Sequence, residues 1–277
     1  MNAKSLKIKV GGTLFLLIVA AAISAPFISS HDPGGQNISE NLKPPAFSEN
    51  GSWTHPLGTD SLGRDVLSRI IYGARISILI GFATIMLSAF IGVILGGISG
   101  YYGGFIEYII IKIVDVFLAF PFLLLAIALM AFLGPGLDNV ILALVLRQWP
   151  QYTRVVRGEV LSLKEREFVI ASKAAGASDF RIIFRHLLPN CMASILVIAT
   201  FSMGIVILIE ASLSFLGLGI PPEIPTWGVM ISEGRSYIHQ AWWLTLFPGL
   251  LIFLSIMGVN LLGDGLRDIL DPKLKDI

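Results

Sequence analysis

Of 277 residues, 55% are hydrophobic and 14% charged, where a soluble domain carries roughly 25% charged residues, and the mean hydropathy is +0.78. A soluble fold cannot bury that much apolar surface, so the composition describes a polytopic membrane protein surrounded by lipid. A net charge of +1 leaves no basic footprint for nucleic acid, and a single cysteine, Cys191, excludes an intrachain disulfide or a multi-cysteine metal centre.

A hydrocarbon core about 30 Å thick calls for about 20 apolar residues in helix. Six stretches come near that length: Val10 to Ile28, Ile76 to Ile98, Phe105 to Leu133, Asn139 to Val156, Met192 to Leu213 and Trp242 to Leu262. The first, preceded by Lys4, Lys7 and Lys9 and containing Ala22-Ile23-Ser24, also reads as a cleavable signal peptide, although it is long enough to span. The fourth is interrupted by Arg147, Gln148, Pro150 and Gln151. With the N-terminus inside, thirteen Lys and Arg fall on the inner side, including Lys273 and Lys275, against five outside. The expectation is an all-α integral membrane protein of six transmembrane helices with both termini cytoplasmic. Trp53, Trp227, Trp242 and Trp243 then sit in outer segments, where aromatic anchors are expected.

Two connections carry most of the information. The outer one ends in a stretch of helical period, with Leu62, Val66, Leu67, Ile70 and Ile71 on one face and an Asp65–Arg69 pair at i,i+4. It reads either as an interfacial helix capped by Thr59, Asp60 or Ser61 or as an outer extension of the second span. The inner one, 157–189, reads as two short helices. Gly176 stops the first, Ser178 or Asp179 caps the second, and Ala171, Ala174, Ala175, Gly176 and Ala177 present small side chains suited to close approach by another surface.

The string from Phe168 to Asn190 resembles the EAA loop of ABC-importer permeases. Gly176, Ala171 and Leu188-Pro189 fall on the motif, whereas Ile170, Ser172 and His186 stand where Glu, Ala and Ile are typical. The ending His186-Leu-Leu-Pro-Asn is similar to the peptide and nickel subgroup. His55-Pro-Leu-Gly-Thr-Asp-Ser-Leu-Gly-Arg-Asp-Val-Leu-Ser-Arg69, Glu210-Ala-Ser-Leu-Ser-Phe-Leu-Gly-Leu-Gly219, Asn260-Leu-Leu-Gly-Asp-Gly-Leu-Arg-Asp268 and Leu270-Asp-Pro resemble the C-type permease subunit of dipeptide, oligopeptide and nickel importers.

The resemblance implies a type I ABC-importer permease fold working with a paralogous B-type permease, two cytoplasmic ATPase subunits that carry ATP and Mg, and an extracytoplasmic solute-binding protein. Residues 1–75 would form an N-terminal anchor with its external loop and interfacial helix, and 76–277 the permease core. Ala171, Ser172, Ala174, Ala175, Gly176, Ala177, Ser178 and Asp179 would couple to the ATPase. The implied cargo is a di- or oligopeptide, with nickel, glutathione or oligosaccharide as alternatives. No phosphate-binding loop is present, so hydrolysis would belong to partners.

Gly92, Gly96 and Gly100 repeat at i+4 and suit close helix packing. The overlapping Gly97-Ile98-Ser99-Gly100 matches a rhomboid protease motif, but His31, His55, His186 and His239 all lie outside the spans, leaving Ser99 without a base. The sequence offers no catalytic, cofactor-binding or metal-binding set. Glu210, Ser214, Phe215 and Arg147 are candidates to line a pathway or gate, since an unpaired charge at mid-membrane costs at least ~2.5 kcal/mol; Glu210 and Arg147 serve equally well as a structural ion pair. Glu107, Lys112 and Asp115 suit short pairs along one helix. Pro121 and Pro248 suit kinks, and Cys191 and the methionines suit packing.

Overall fold

The computed structural model describes residues 3–270. Lys273, Lys275 and the end of the Leu270-Asp-Pro string lie outside the described residues. Those described are organised entirely by helices, apart from an isolated bridge between Thr59 and Asp65.

Helix α1 (Ala3–Ile23) lies against α9 (Trp243–Leu270). The backbones meet at Gly11, where a Cβ would stand 2.6 Å from the Gly258 carbonyl oxygen. Lys7 Nζ reaches Asp268 at 3.2 Å.

Helix α2 (Val66–Tyr102) has 37 residues, about 55 Å of helix, well beyond the hydrocarbon thickness. It begins at Val66 because the Asp65 carboxylate accepts the Ser68 N–H at 2.8 Å. The expected interfacial helix is therefore the opening turns of α2, and the cap is Asp65 instead of Thr59, Asp60 or Ser61. No strong breaker separates Ile71 from Ile76, and Gly73 packs against Trp227, so the helix runs straight on. Arg69 does not pair with Asp65, which is occupied as the cap; it turns to Glu233 at 2.8 Å.

The third expected span is broken. Helix α3 (Gly104–Ala119) and helix α4 (Phe122–Leu133) meet at 88°. Pro121 forces Phe120 out of helical geometry to ψ 129° and supplies no N–H of its own. Pro248, by contrast, lies inside α9 without interrupting it. Helix α5 (Leu137–Leu163) likewise accommodates Pro150 over 27 residues. Among the described residues, four helices, α1, α2, α7 (Met192–Phe215) and α9, are long and apolar enough to cross a membrane, and five spans result if the bent α3–α4 pair counts as one. Helix α5 is amphipathic because one of its faces is polar.

Several local expectations are corrected by tertiary partners. Trp227 and Trp243 are buried, their indole N–H groups donating to the Ile70 and Thr59 carbonyls, and so they are core residues instead of interface anchors. Asp115 pairs with Arg154, and Glu107 with Arg157, across the α3–α5 contact; Lys112 lies over the Tyr108 ring. Helix-to-helix partners displace the pairs that the spacing along one helix suggests.

The tightest seam runs between α2 and α5. A Cβ at Gly92 would meet the Tyr152 Cβ at 2.3 Å, one at Gly96 the Thr153 oxygen at 2.7 Å, and one at Gly100 the Val160 Cβ at 2.9 Å. The i+4 glycines are thus packing positions. Ser99 beside them is buried, and its hydroxyl donates to the Gly96 carbonyl. Gly92→Val should destabilise the protein by about 1–3 kcal/mol through overpacking, read as a lower unfolding midpoint in detergent. Gly158 lies in α5 with no atom within 4 Å of its would-be Cβ, so Gly158→Ala should be neutral or stabilising by up to about 1 kcal/mol. Equal effects at the two sites would contradict this packing.

Candidate functional site

The segment between α5 and α7 is a folded hairpin. Helix α6 (Glu167–Ala174) carries Glu167 in its first turn and Lys173 in its last, matching the helix dipole. It ends in a Schellman turn: the Gly176 N–H donates to the Lys173 carbonyl at 2.9 Å and the Ala177 N–H to the Ser172 carbonyl at 3.0 Å, with Gly176 at φ +79°. Only glycine takes that backbone without strain.

Ser178 then caps the next helical segment, accepting from the Arg181 N–H. That segment is α-helical over Asp179–Arg181, widens to a π-helix over Ile182–Leu187, and returns to α-helix over Leu188–Asn190. Pro189 has no N–H to offer Arg185, and the widened turn relieves its ring; Asn190 Nδ2 donates to the His186 carbonyl at 2.6 Å.

One face of this hairpin is anchored. Val169, Ile182, Ile183, Leu187 and Leu188 pack with Cys191, Tyr152, Val156 and Val160. From the end of α2, the Tyr101 hydroxyl donates to Asp179 at 2.6 Å, and Lys173 lies over the Tyr101 ring. The opposite face is uncovered: Ala171, Ala174, Ala175, Gly176, Ser178 and Asp179 are exposed, with Ser172 and Ala177 half-buried. Large apolar side chains flank them. Ile170 is 54% and Phe180 70% exposed, and Phe180 stacks on Phe184 at 4.5 Å.

The candidate gate residues divide. Glu210 is buried against the short helix α8 (Trp227–Gly234). Its Oε1 accepts from the Ser214 hydroxyl at 2.9 Å and the Thr226 hydroxyl at 3.0 Å, while Thr226 in turn caps α8 through the Val229 N–H. The Glu210–Arg147 ion pair is not formed: Glu210 Oε1 takes the two hydroxyls and Oε2 is buried without a partner, while Arg147 turns to Phe122 and Gln148. Ser214 is also buried, beneath a Schellman turn at Gly217 that folds Gly219 back onto it. Phe215 is half exposed, its ring under Arg235 and its carbonyl accepting from Arg235 and Ser232.

Arg147 faces open space. It lies over Phe122 and bonds Gln148, in a groove of about 530 Å³ that also includes Phe117, Gln151 and Arg154. A second groove of about 760 Å³ shares Gln151 and Val155 and adds Glu159, Ser194, Phe201 and Arg267, with the Ser194 hydroxyl donating to Glu159 at 2.6 Å. Arg147, Gln151, Val155 and Glu159 recur at i+4, one stripe on α5 along both grooves. Gln151, Glu159, Ser194 and Arg267 were not among the candidates from sequence; the i+4 recurrence of polar residues at Arg147, Gln151 and, beyond the end of the expected span, Glu159 is the signal that would have found the stripe.

At the other end of the bundle, a buried ion network joins the His55-to-Arg69 string to α8. Arg64 bonds Asp60 at 2.6 Å and Glu233 at 2.9 Å, and Glu233 also receives Arg69. Burial disfavours the Arg64 charge, but Glu233 and Asp60 outweigh it and raise its pKa above the ordinary value.

Residues 92–276 match the family described as the binding-protein-dependent transport system inner membrane component, and residues 9–45 match the N-terminal TM domain of oligopeptide transport permease C. The chain belongs to this family of transport permeases. The di/tripeptide transport system permease protein DppC of Pseudomonas aeruginosa is 47% identical over 96% of this chain and 88% of its own length. The dipeptide permease DppC of Bacillus subtilis is 44% identical over 98% and 84%, and the glutathione transport system permease GsiD of Pectobacterium atrosepticum is 44% identical over 95% and 86%. A chain of the MetNI methionine ABC transporter, in an inward-facing structure, shares the fold at TM-score 0.58 and 19% identity, covering 73% of this chain and 96% of that one. The protein is thus a multi-pass inner-membrane permease.

In this permease Glu210 works as a clamp between α7 and α8. Glu210→Leu should destabilise it by about 1–3 kcal/mol by stranding the Thr226 and Ser214 hydroxyls. Glu210→Gln keeps an acceptor oxygen and should cost less. Unfolding midpoints of the purified variants check the order; a Leu variant as stable as wild type would remove the clamp.

Proposed function

We propose that this chain is the C-type permease subunit of an ATP-driven ABC importer of di- or oligopeptides. It forms half of the path beside a paralogous B-type permease and is driven by two ATPase subunits that bind ATP and Mg²⁺. An extracytoplasmic solute-binding protein delivers the cargo. The observation that carries this reading is the α6 hairpin, a rigidly anchored element whose free face is small residues between Ile170 and the Phe180–Phe184 pair. Small side chains leave room for a partner's projections, and the aromatic flanks supply apolar area to bury there. Chemistry on the nucleotide resides in the partners; this chain transmits motion.

The hairpin's hydrophobic anchor joins it to α5 and α7, and Tyr101 joins it to α2. A displacement of α6 by an ATPase would therefore move the helices that carry the grooves. The polar stripe Arg147, Gln151 and Glu159 on α5 is the part of the path supplied by this chain, and it suits a zwitterionic peptide that needs both charge signs along its way. Glutathione, itself a tripeptide, is the second cargo reading, favoured by the glutathione permease among the relatives.

The membrane topology follows from the same reading: α1, α2, the bent α3–α4 pair, α5, α7 and α9 make six crossings, with both termini and the α6 hairpin cytoplasmic. In a Cys191→Ser background, Ser48→Cys should react with an impermeant thiol reagent added outside whole cells, and Ser172→Cys should react only after the membrane is opened. External labelling at position 172 would overturn the topology.

Ala174→Arg introduces a long charged side chain at an exposed helical position, so it should leave the permease folded and inserted while cutting peptide uptake and peptide-stimulated ATP hydrolysis at least tenfold. Gly176→Trp should do the same, with added strain from its φ of +79°. Wild-type coupling in an assembled Ala174→Arg transporter would show that this face is not the transmission surface.

A further inference from the structure

Residues 29–65, between α1 and α2, form a long connection held by pairing of its own backbone: Asn37 to Leu62, Leu42 to Asp60, Thr59 to Lys43 and Ala46 to Pro56. Three side chains from separate parts of it converge at the start of α2. His31 follows soon after α1, His55 opens the His55-to-Arg69 string, and Asp65 caps α2. One ligand-type atom from each lies within 4.8 Å of the others. His55 Nδ1 is 2.9 Å from Asp65 Oδ1, His31 Nδ1 is 4.0 Å from Asp65 Oδ2, and the two imidazole rings lie 4.7 Å apart.

We propose that His31, His55 and Asp65 bind a divalent transition-metal ion of the zinc class, clasping this connection to the N-terminus of α2. Tetrahedral zinc with bonds of about 2.0–2.1 Å holds its ligand atoms about 3.3 Å apart; His55 Nδ1 and Asp65 Oδ1, at 2.9 Å, stand close to that spacing, and His31 Nδ1 lies 4.0 Å from the other oxygen of the same carboxylate. Two imidazoles and a carboxylate are a borderline donor set that suits zinc better than calcium or magnesium, which prefer all-oxygen shells. Water takes the fourth position.

Two further observations point to a cation here. The His31 Nδ1 atom is buried and has no hydrogen-bond partner, though it stands 4.0 Å from the Asp65 carboxylate. The surrounding shell is also of the kind that orients metal ligands. Glu40 stands 3.0 Å from the far nitrogen of His55 and is itself held by Lys43 at 2.6 Å. The Ser68 N–H and hydroxyl both bond Asp65 Oδ2, which leaves Oδ1 for the metal. A purely hydrogen-bonded arrangement, with His55 bridging Asp65 and Glu40, has no use for His31.

The ligands stand at positions 31, 55 and 65 and form no short motif, which is why a search for a His-Glu-x-x-His helix or paired cysteines passes over them. The site shares no residue with the proposed coupling face or the grooves, so its fate is independent of the transport reading.

The test uses the full chain in lipid nanodiscs, purified without a polyhistidine tag, stripped with EDTA and titrated with Zn²⁺. One zinc should bind per chain and raise the unfolding temperature. His31→Ala removes a ligand that is neither the α2 cap nor part of the His55–Glu40 pair. It should leave the EDTA-treated protein as stable as before while weakening zinc binding at least tenfold. Glu40→Gln should weaken binding by about tenfold through His55. His239→Ala serves as the control and should change nothing. X-ray absorption of the zinc complex should show nitrogen and oxygen ligands from two imidazoles and no sulfur. Sub-stoichiometric binding, or undiminished affinity in His31→Ala, would overturn the site and leave the cluster as a hydrogen-bond network alone.

Discussion

The contact between α2 and α5 is the constraint on which the rest of the bundle depends. Within lipid there is little hydrophobic gain from bringing two apolar helices together, so association relies on close packing and on polar groups that find partners. Gly92, Gly96 and Gly100 remove the side chains that would hold the backbones apart, and Tyr152, Thr153, Val156 and Val160 fill the space. Because α5 is fixed in this way, its polar stripe is turned to the grooves and its inner end is presented to the α6 hairpin. The broken α3–α4 pair is tied to the same helix by Asp115–Arg154 and Glu107–Arg157.

A second set of constraints holds α8 in place, and it is polar. Glu210 and Thr226 fix the start of the helix to α7, Trp227 inserts its indole against the Ile70 carbonyl, and Glu233 near its end takes both Arg64 and Arg69. Removing one partner from such a buried network strands the others, which is costlier than the net worth of any single pair. The short helix is therefore a rigid plug between α2, α7 and α9. Glu210, which stands out in the sequence as an ionisable residue in an apolar span, takes part in that rigidity.

On the proposed reading, the hairpin and the grooves divide the work of a permease within one chain. The hairpin is anchored by its apolar face and leaves the opposite face free; one groove is lined from α5, α7 and α9 and the other from α3, α4 and α5. Since α5 belongs to both, the proposed coupling would pass through a single helix and its glycine seam.

Much of this was legible in the sequence because local chemistry decided it. Hydropathy marks the apolar helices, Gly176 marks the end of α6 through its φ, Ser178 its following cap, and the glycine period the helix seam. The rest required tertiary partners. The Asp65–Arg69 and Lys112–Asp115 spacings suit helices, yet Asp65 is taken up by Ser68 and His55 and leaves Arg69 to Glu233, and Asp115 meets Arg154 across the α3–α5 contact. Trp227 and Trp243 look the same in sequence whether they face headgroups or core; only neighbouring carbonyls at Ile70 and Thr59 decide it. Pro121 and Pro150 are likewise alike as residues, but one breaks its span at 88° and the other sits within a continuous helix. The sequence by itself thus determined which segments are helical and which family they build, because those depend on residues close together in the chain. Only the tertiary structure decided which polar groups meet, among them Glu210 with Thr226 and His31 with His55 and Asp65, because those distances depend on how separate helices and loops pack.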